Sequence, residues 1–439
     1  MNRMYQNVVE AILESVSLYK DNILIINHDE THTYHDLYID ASKIYKHISS
    51  GRILLRIKDK YLTGVSFVAC LFKKALCFID DASNQESPLL KYHYDMILTD
   101  EEVSTFLKDE DYELYSYRGD IKPLDPCVVL LSSGTSKEAK PIVLSHRGVI
   151  TNILSGLKLF EVKQGWLFVN ILPFNHAFGI TSDFLDMIIT GTTIVYSYSI
   201  FEFFSNLVKY RPDSINIPVS VLSPILEMLK QNGQASMGGK LKTILAGGSK
   251  CSQSIVDTFK QYNITICTSY GLTECSPCIS INSPKYFKDG SDGKVFDCHH
   301  LTITDSHEIV VSGDSLMLNY LDEYDRGNII DEFHTKDIGY VDEDGFIFVT
   351  GRLDNLIILD NGTKIQPETF EADLKNGLDV IDAVIYLKDK QLILDVVGDM
   401  NLETALKKKF NYLDLHINFV DEIKHNKMGK VDRAYYKNL

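Results

Sequence analysis

ITICTSYGLTE, residues 264–274, runs an apolar strand straight into an aromatic–glycine turn. Similar β-branched or apolar runs recur before it: ILLRI (53–57), CVVLLS (127–132), WLFVNIL (166–172), TTIVYS (192–197) and KTILAGG (242–248). Between them lie helix-like segments, HRGVITNILSGLKLF (146–160), FEFFSNLVKY (201–210), VSVLSPILEMLKQ (219–231) and SQSIVDTFKQY (252–262). Continuous apolar strands alternating with helices predict a mostly parallel α/β sheet.

The texture changes after about residue 300. EIVVSG (308–313), GYVDEDGFIFVTG (339–351) and NLIILDNGTKI (355–365) are short strands joined by Gly and Asp turns, which predicts a small antiparallel β-subdomain. A small α+β unit follows. ETFEADLKN reads as a helix, VIDAVIYLKDKQLILDVVG as a hairpin, NLETALKKKF as a second helix, and the rest as an extended tail. The expected division is a large α/β domain over 1–352 and a small α+β domain over 353–439.

Composition narrows the function. The 439 residues carry 44 Lys+Arg against 60 Asp+Glu, a formal net charge of −16. That balance argues against coating nucleic acid or an anionic membrane through bulk charge. The apolar stretch GVSFVACLF (64–72) ends at Lys73 and Lys74. It is far short of the roughly 20 residues that span a bilayer, so no membrane insertion is expected. The N-terminal segment meets Glu10 and Glu14 before any apolar run, unlike a secretory signal. Eight scattered cysteines, with only Cys275 and Cys278 spaced as CxxC, read as reduced, buried thiols of a cytoplasmic protein.

Four segments carry chemistry. SSGTSKEAKPIVLSH (132–146) follows a strand and precedes a helix. Its hydroxyls and backbone N–H groups can wrap phosphate oxygens, and Lys140 adds a mobile charge. It lacks the GxxxxGK[ST] pattern of a P-loop. In YGLTE (270–274) an aromatic ring beside Gly offers a flat face and close backbone approach. Thr273 and Glu274 supply a hydroxyl for a phosphate oxygen and a carboxylate for Mg²⁺. In HTKDIGYVDEDGFIFVTGRLDNLI (334–357), Asp337 and Arg352 each stand by a Gly turn. A carboxylate beside an Arg is a common way to hold ribose hydroxyls. In NKMGKVDR (426–433), Lys430 follows Gly on a C-terminal segment that could swing. Taken singly, each has a plainer reading as a surface turn or a basic tail.

In order and spacing, the four together resemble the adenylate-forming superfamily of acyl-CoA synthetases, aryl-acid ligases, peptide-synthetase adenylation domains and luciferases. Three more segments extend the likeness over nearly the whole chain. THTYHDLYIDASKIYKHI (31–48) resembles an N-terminal helix signature, LPFNHAFG (172–179) the segment at the acid pocket, and LAGGS (245–249) the turn that packs on adenine and substrate.

The resemblance implies a role for each matching residue. Ser132, Ser133, Gly134, Thr135, Ser136 and Lys140 would cradle the ATP β- and γ-phosphates. Gly247, Gly248 and Gly271 would line the nucleotide, and Tyr270 would stack on adenine. Thr273 would touch the α-phosphate and Glu274 would hold Mg²⁺. Asp337, assisted by Arg352, would bind the ribose. His176 would wall or gate the acid pocket. Asp354 would be the hinge of the small domain, and Lys430 would bridge the carboxylate and the α-phosphate. The implied activity is ATP-dependent formation of an acyl-adenylate with pyrophosphate release, then transfer to a pantetheine thiol of a carrier protein or CoA. Departures from the pattern are Lys137, Ala139 and Pro141 in the phosphate loop, and Lys424 and Met428 before Lys430.

The acid-pocket segment holds Asn175 and His176 where amino-acid-activating domains carry an Asp, with Asp183 and Asp186 one or two helical turns on. A small aryl or hydroxyaryl acid is therefore the first expectation. Aliphatic or amino-acid activation and a non-catalytic scaffold are the alternatives. Residues 403–439 hold 8 Lys+Arg against 5 Asp+Glu, a net of +3. This is either a solvated face or a dock for an acidic carrier or the CoA phosphates.

Overall fold

A computed structural model describes residues 5–132, 139–359, 362–378, 380–425 and 431–439. The predicted alternation builds two mixed sheets. The larger has nine strands. Its centre is parallel and runs from Thr265–Gly271 through Thr243–Gly247, Ser214–Pro218, Leu167–Asn170 and Thr193–Tyr196 to Ile23–Asn27. Antiparallel strands close both edges: Cys278–Ile281 and Lys294–Val295 on one side, Glu30–Thr33 on the other. A six-stranded sheet has Arg52–Leu55, Leu76–Ile79, Met96–Leu98 and Pro126–Leu131 in parallel, with Pro141–Ser145 and Asn319–Tyr320 added antiparallel. The mostly parallel α/β reading holds.

The helices start where the sequence supplies caps. Thr33 and Asp36 form a capping box on Tyr34–His47, and the Asp59, Ser145 and Ser199 side chains cap Lys60–Lys73, His146–Leu159 and Ile200–Tyr210. The apolar run 64–72 lies within Lys60–Lys73, which is buried at nearly every position from Tyr61 to Phe72. It packs in the main core with Phe184, Ile180 and Leu37. Full burial of such side chains stabilises by roughly 1.5–3 kcal/mol each, which explains an all-round apolar helix too short for a membrane. Among the described residues no helix is long and apolar enough to cross a membrane. All eight cysteines are free, and six are buried.

The antiparallel subdomain forms from His299–Ile303, Glu308–Gly313, Glu332–Val341 and Ile347–Arg352. The ribbon predicted to join it does not. Ile357–Ile358 and Lys364–Ile365 pair only with each other. Ile365 is instead buried with Phe370, Leu374 and Leu394, because its apolar face fits that core. The C-terminal unit has the helix Pro367–Gly377, the hairpin Val380–Lys388 and Gln391–Gly398, and the helix Glu403–Lys409. The tail after it is not simply extended. Leu415–Phe419 adds a parallel strand beside Gln391–Gly398, and Arg433–Lys437 is a short helix. Leu415 and Ile417 drive the pairing by packing against the same core.

Candidate active site

Tyr270 to Glu274 sit where the strand Thr265–Gly271 leaves the carboxyl end of the parallel sheet, the usual place for ligands in such folds. The turn is pinned from outside. Asn152, on the helix His146–Leu159, donates to the carbonyls of Cys275 (3.0 Å) and Cys278 (2.7 Å). The Met317 N–H donates to the Glu274 carbonyl at 2.8 Å. Gly271 is required by space, since a Cβ there would lie 2.0 Å from the Pro277 carbonyl oxygen.

Two polar groups meet this turn. The first is Asp337, only 5% exposed. Tyr270 Oη donates to its Oδ2 at 2.7 Å, and Arg352 Nη1 donates to its Oδ1 at 2.8 Å. Strand register sets the second contact, because Asp337 and Arg352 are directly paired across Glu332–Val341 and Ile347–Arg352. Burial and then the Asp337 carboxylate push the Tyr270 phenol well above its ordinary value, so it stays a donor.

The second group centres on Glu274. Tyr320 Oη donates to Glu274 Oε1 at 3.1 Å, and the Tyr320 ring lies 5.2 Å below Lys140 Nζ. Burial raises the Glu274 carboxyl, with Tyr320 and Arg352 acting against it. Tyr320 is placed by pairing with Ile142, two residues past Lys140. Ser132 and Lys140 pair with each other: the Ser132 N–H donates to the Lys140 carbonyl (2.8 Å), and the Lys140 N–H to Ser132 Oγ (3.0 Å). Ser133, Gly134, Thr135, Ser136 and Lys137 lie outside the described residues, as does Lys430.

Thr273 is buried in the same turn. Gly247 and Gly248 end the neighbouring strand; Gly248 has φ +86°, and nothing lies within 4 Å of where its Cβ would be. A Cβ on Gly247 would lie 3.3 Å from the Phe178 ring and 3.0 Å from Ser269 Oγ. His176 caps the helix Ala177–Ile180 in the next segment. Burial lowers its imidazole, with Asp81 pulling the other way, so it is neutral at pH 7. Asp354 makes ion pairs with Lys336 and Arg352, both 3.5 Å, and its carbonyl accepts from Lys437 Nζ at 2.6 Å.

The described residues also fit the groups such a site would hold. They contain no cluster of three or more His, Cys, Asp or Glu that could hold a metal ion by itself. Glu274 is a buried carboxylate that shares Tyr320 with Lys140. That donor set suits Mg²⁺, which keeps waters and phosphate oxygens and takes one or two protein carboxylates. Sequence reading missed Tyr320 and Asn152. Neither has a local signal, since each meets its partner only through the fold, 46 residues away for Tyr320 and more than 120 for Asn152.

A buried Asp–Arg pair meets Tyr270, and a carboxylate and a lysine share Tyr320, around one turn at the carboxyl end of the parallel strands. The chain belongs to the AMP-binding enzyme family. Residues 61–321, more than half of the chain, match the model described as AMP-binding enzyme. Similar curated proteins include a probable CoA ligase of Humulus lupulus, 28% identical over 291 residues covering 61% of this chain and 52% of that protein. Another is a 2-succinylbenzoate–CoA ligase of Listeria monocytogenes, 30% identical over 256 residues, 55% of this chain and 52% of that protein. The chain thus spans about half the length of these relatives in the matched regions. The fold is similar over 97% of this chain to O-succinylbenzoate Coenzyme A synthetase from Bacillus subtilis in complex with AMP (98% of that chain, TM-score 0.80, 19% identity). It is likewise similar over 99% of both chains to ATP-bound MatB from Rhodopseudomonas palustris (TM-score 0.84, 15% identity).

Proposed function

We propose that this chain is an acid–thiol ligase. It activates a carboxylic acid with ATP to an acyl-adenylate, releases pyrophosphate, and passes the acyl group to a pantetheine thiol. The observation that carries this reading is the convergence on Tyr270–Glu274 of Asp337 and Arg352 from one direction and Lys140 and Tyr320 from another.

In this reading Asp337 accepts the ribose hydroxyls and Arg352 orients its carboxylate. The Tyr270 ring forms the adenine platform, its hydroxyl fixed by Asp337. Thr273 donates to the α-phosphate. Mg²⁺ held by Glu274 would neutralise phosphate charge and ease the approach of two anions. Lys140, with Ser132 through Ser136, holds the β- and γ-phosphates. Lys430 offsets the charge that grows on the α-phosphorus, and needs no covalent bond to the protein. Rotation about Asp354 then brings a different face of the 353–439 domain to the thiol. His176 and Phe178 wall the acid, and a neutral imidazole there suits a small aryl or hydroxyaryl acid.

CoA is the favoured acceptor over a carrier protein, because the relatives named above are CoA ligases by name. The test is acid-dependent pyrophosphate exchange across a panel of aryl, aliphatic and amino acids. Exchange led by aryl acids supports the reading. Release of ADP, or exchange with none of the acids, overturns it.

A further inference from the structure

A buried polar network lies under the segment that carries His176 and Phe178. Asp183 is 4% exposed, Asn170 1% and Asn216 3%. Asp183 accepts from Asn170 Nδ2 through Oδ2 (2.5 Å) and from Asn216 Nδ2 through Oδ1 (2.6 Å). Lys60 Nζ donates to Asn170 Oδ1 (2.5 Å) and to the Leu172 carbonyl (3.2 Å), which also accepts from Asn170 Nδ2 at 3.2 Å. Asn216 Nδ2 reaches the Ser182 carbonyl as well, at 3.2 Å. Each atom therefore ties one end of the stretch 172–183 to a strand end or to the start of the helix Lys60–Lys73.

The local backbone is shaped for this contact. The helix Ala177–Ile180 widens to a π-turn over Thr181–Leu185 before resuming as Asp186–Thr190. Such an inserted turn re-aims a side chain and is common at functional sites. An apolar residue would be the simplest choice at position 183, between Phe184 and the strands. A buried carboxylate costs several kcal/mol unless fully bonded and balanced, so its bonds must be specific. The charged groups acting on the network are Lys60 and Asp186 around Asp183, and Glu202 with Asp183 around Lys60.

We propose that Asp183, bonded to Asn170 and Asn216 and balanced by Lys60, is a positioning residue that fixes the acid-pocket wall formed by His176 and Phe178. It sets affinity for the acid and leaves ATP binding alone. The inference rests on the ligase reading above. Asp183 follows Phe178, whose ring lies beside Gly247, in one continuous segment, and its side chain bonds to Asn170 and Asn216.

The discriminating variant is Asp183→Asn. An amide has one acceptor oxygen, so it satisfies only one of the two asparagine donors and sets N–H₂ against N–H₂ at the other. The lost acceptor and the opposed N–H₂ groups are expected to raise the KM for the acid about 10-fold or more. The KM for ATP and kcat stay within about 2-fold in pyrophosphate exchange. Asn216→Ala removes the bonds to Asp183 and to the Ser182 carbonyl and keeps the carboxylate itself. It is the control should Asp183→Asn fold poorly, and is expected to raise the acid KM about 3–10-fold. ATP binding by calorimetry, without any acid, should be unchanged in both. Equal rises in both KM values, or no change in either variant, overturn the inference while leaving the ligase reading intact. Absence of exchange in the unmodified protein removes both.

Discussion

Tyr320 holds Glu274 by a 3.1 Å hydrogen bond while its ring faces the Lys140 ammonium at 5.2 Å, so one side chain touches both a buried carboxylate and a cation. The hydroxyl orients Glu274, and the ring steadies Lys140. The two functions separate by mutation. Tyr320→Phe should raise the Mg²⁺ concentration for half-maximal exchange about 3–10-fold with little change in the KM for ATP. Tyr320→Leu should raise both. Magnesium titrations at saturating ATP decide it. An unchanged magnesium requirement in Tyr320→Phe would show that the hydroxyl does not matter to the metal.

Gly271→Ala should destabilise the chain by about 3–5 kcal/mol or prevent folding, because its Cβ would stand 2.0 Å from the Pro277 carbonyl oxygen. Backbone, not a flexible side chain, is in the way, and Asn152 holds that backbone by the carbonyls on either side of it. Gly248→Ala has open space around its Cβ and should cost only about 1 kcal/mol, from its positive φ. Denaturant melts of the two variants compare a steric demand with a conformational one. A Gly271→Ala protein as stable as the parent contradicts the packing described.

These residues show what the sequence could convey. Tyr270 and Arg352 were legible because each sits at a strand end beside a glycine, Glu274 because it closely follows such an end, and Asp337 because Gly339 stands two residues further along its strand. Their convergence was implied by resemblance and is made by strand register, as in the direct pairing of Asp337 with Arg352. Tyr320 and Asn152 were illegible, since only pairing with Ile142 and the helix His146–Leu159 brings them near. The parallel strand Leu415–Phe419 was missed for a similar reason. Its short alternating pattern is as compatible with a loose tail, and its partner strand lies across an intervening helix.

Lys430 belongs to a segment whose described end is anchored. Arg433 donates to both oxygens of Glu371, at 2.8 Å and 2.5 Å, and Glu371 also accepts from the Ile385 N–H at 2.8 Å. Lys430→Ala should nearly abolish adenylate formation and leave thiol transfer from supplied acyl-adenylate largely intact. Arg433→Met breaks a largely buried pair and should cost about 3–5 kcal/mol in the 353–439 unit. It should slow both half-reactions. Separate single-turnover assays of the two steps distinguish a chemical lysine from a structural arginine. Equal loss of both steps in Lys430→Ala would remove its assigned role.

Asp186 sets a pH dependence. Its Oδ1 is buried and has no hydrogen-bond partner among the described residues. Burial, and then the nearby Asp183, push the carboxyl up to about 8. An unfolded Asp titrates near ~3.9. Between about pH 4 and 8 the folded chain therefore binds more protons at this site than the unfolded chain does. Stability from this group must fall as pH rises through that window and level off above it. Asp186→Asn mimics the protonated form and does not titrate. The variant should therefore gain on the parent as pH rises, by roughly 1–3 kcal/mol between pH 5 and pH 8, once water entry and local relaxation are allowed for. Urea melts of both proteins at pH 5, 6, 7 and 8 give the difference directly. A difference that is constant with pH would mean that Asp186 ionises in the folded state as readily as in the unfolded one, and that its burial is relieved by a partner.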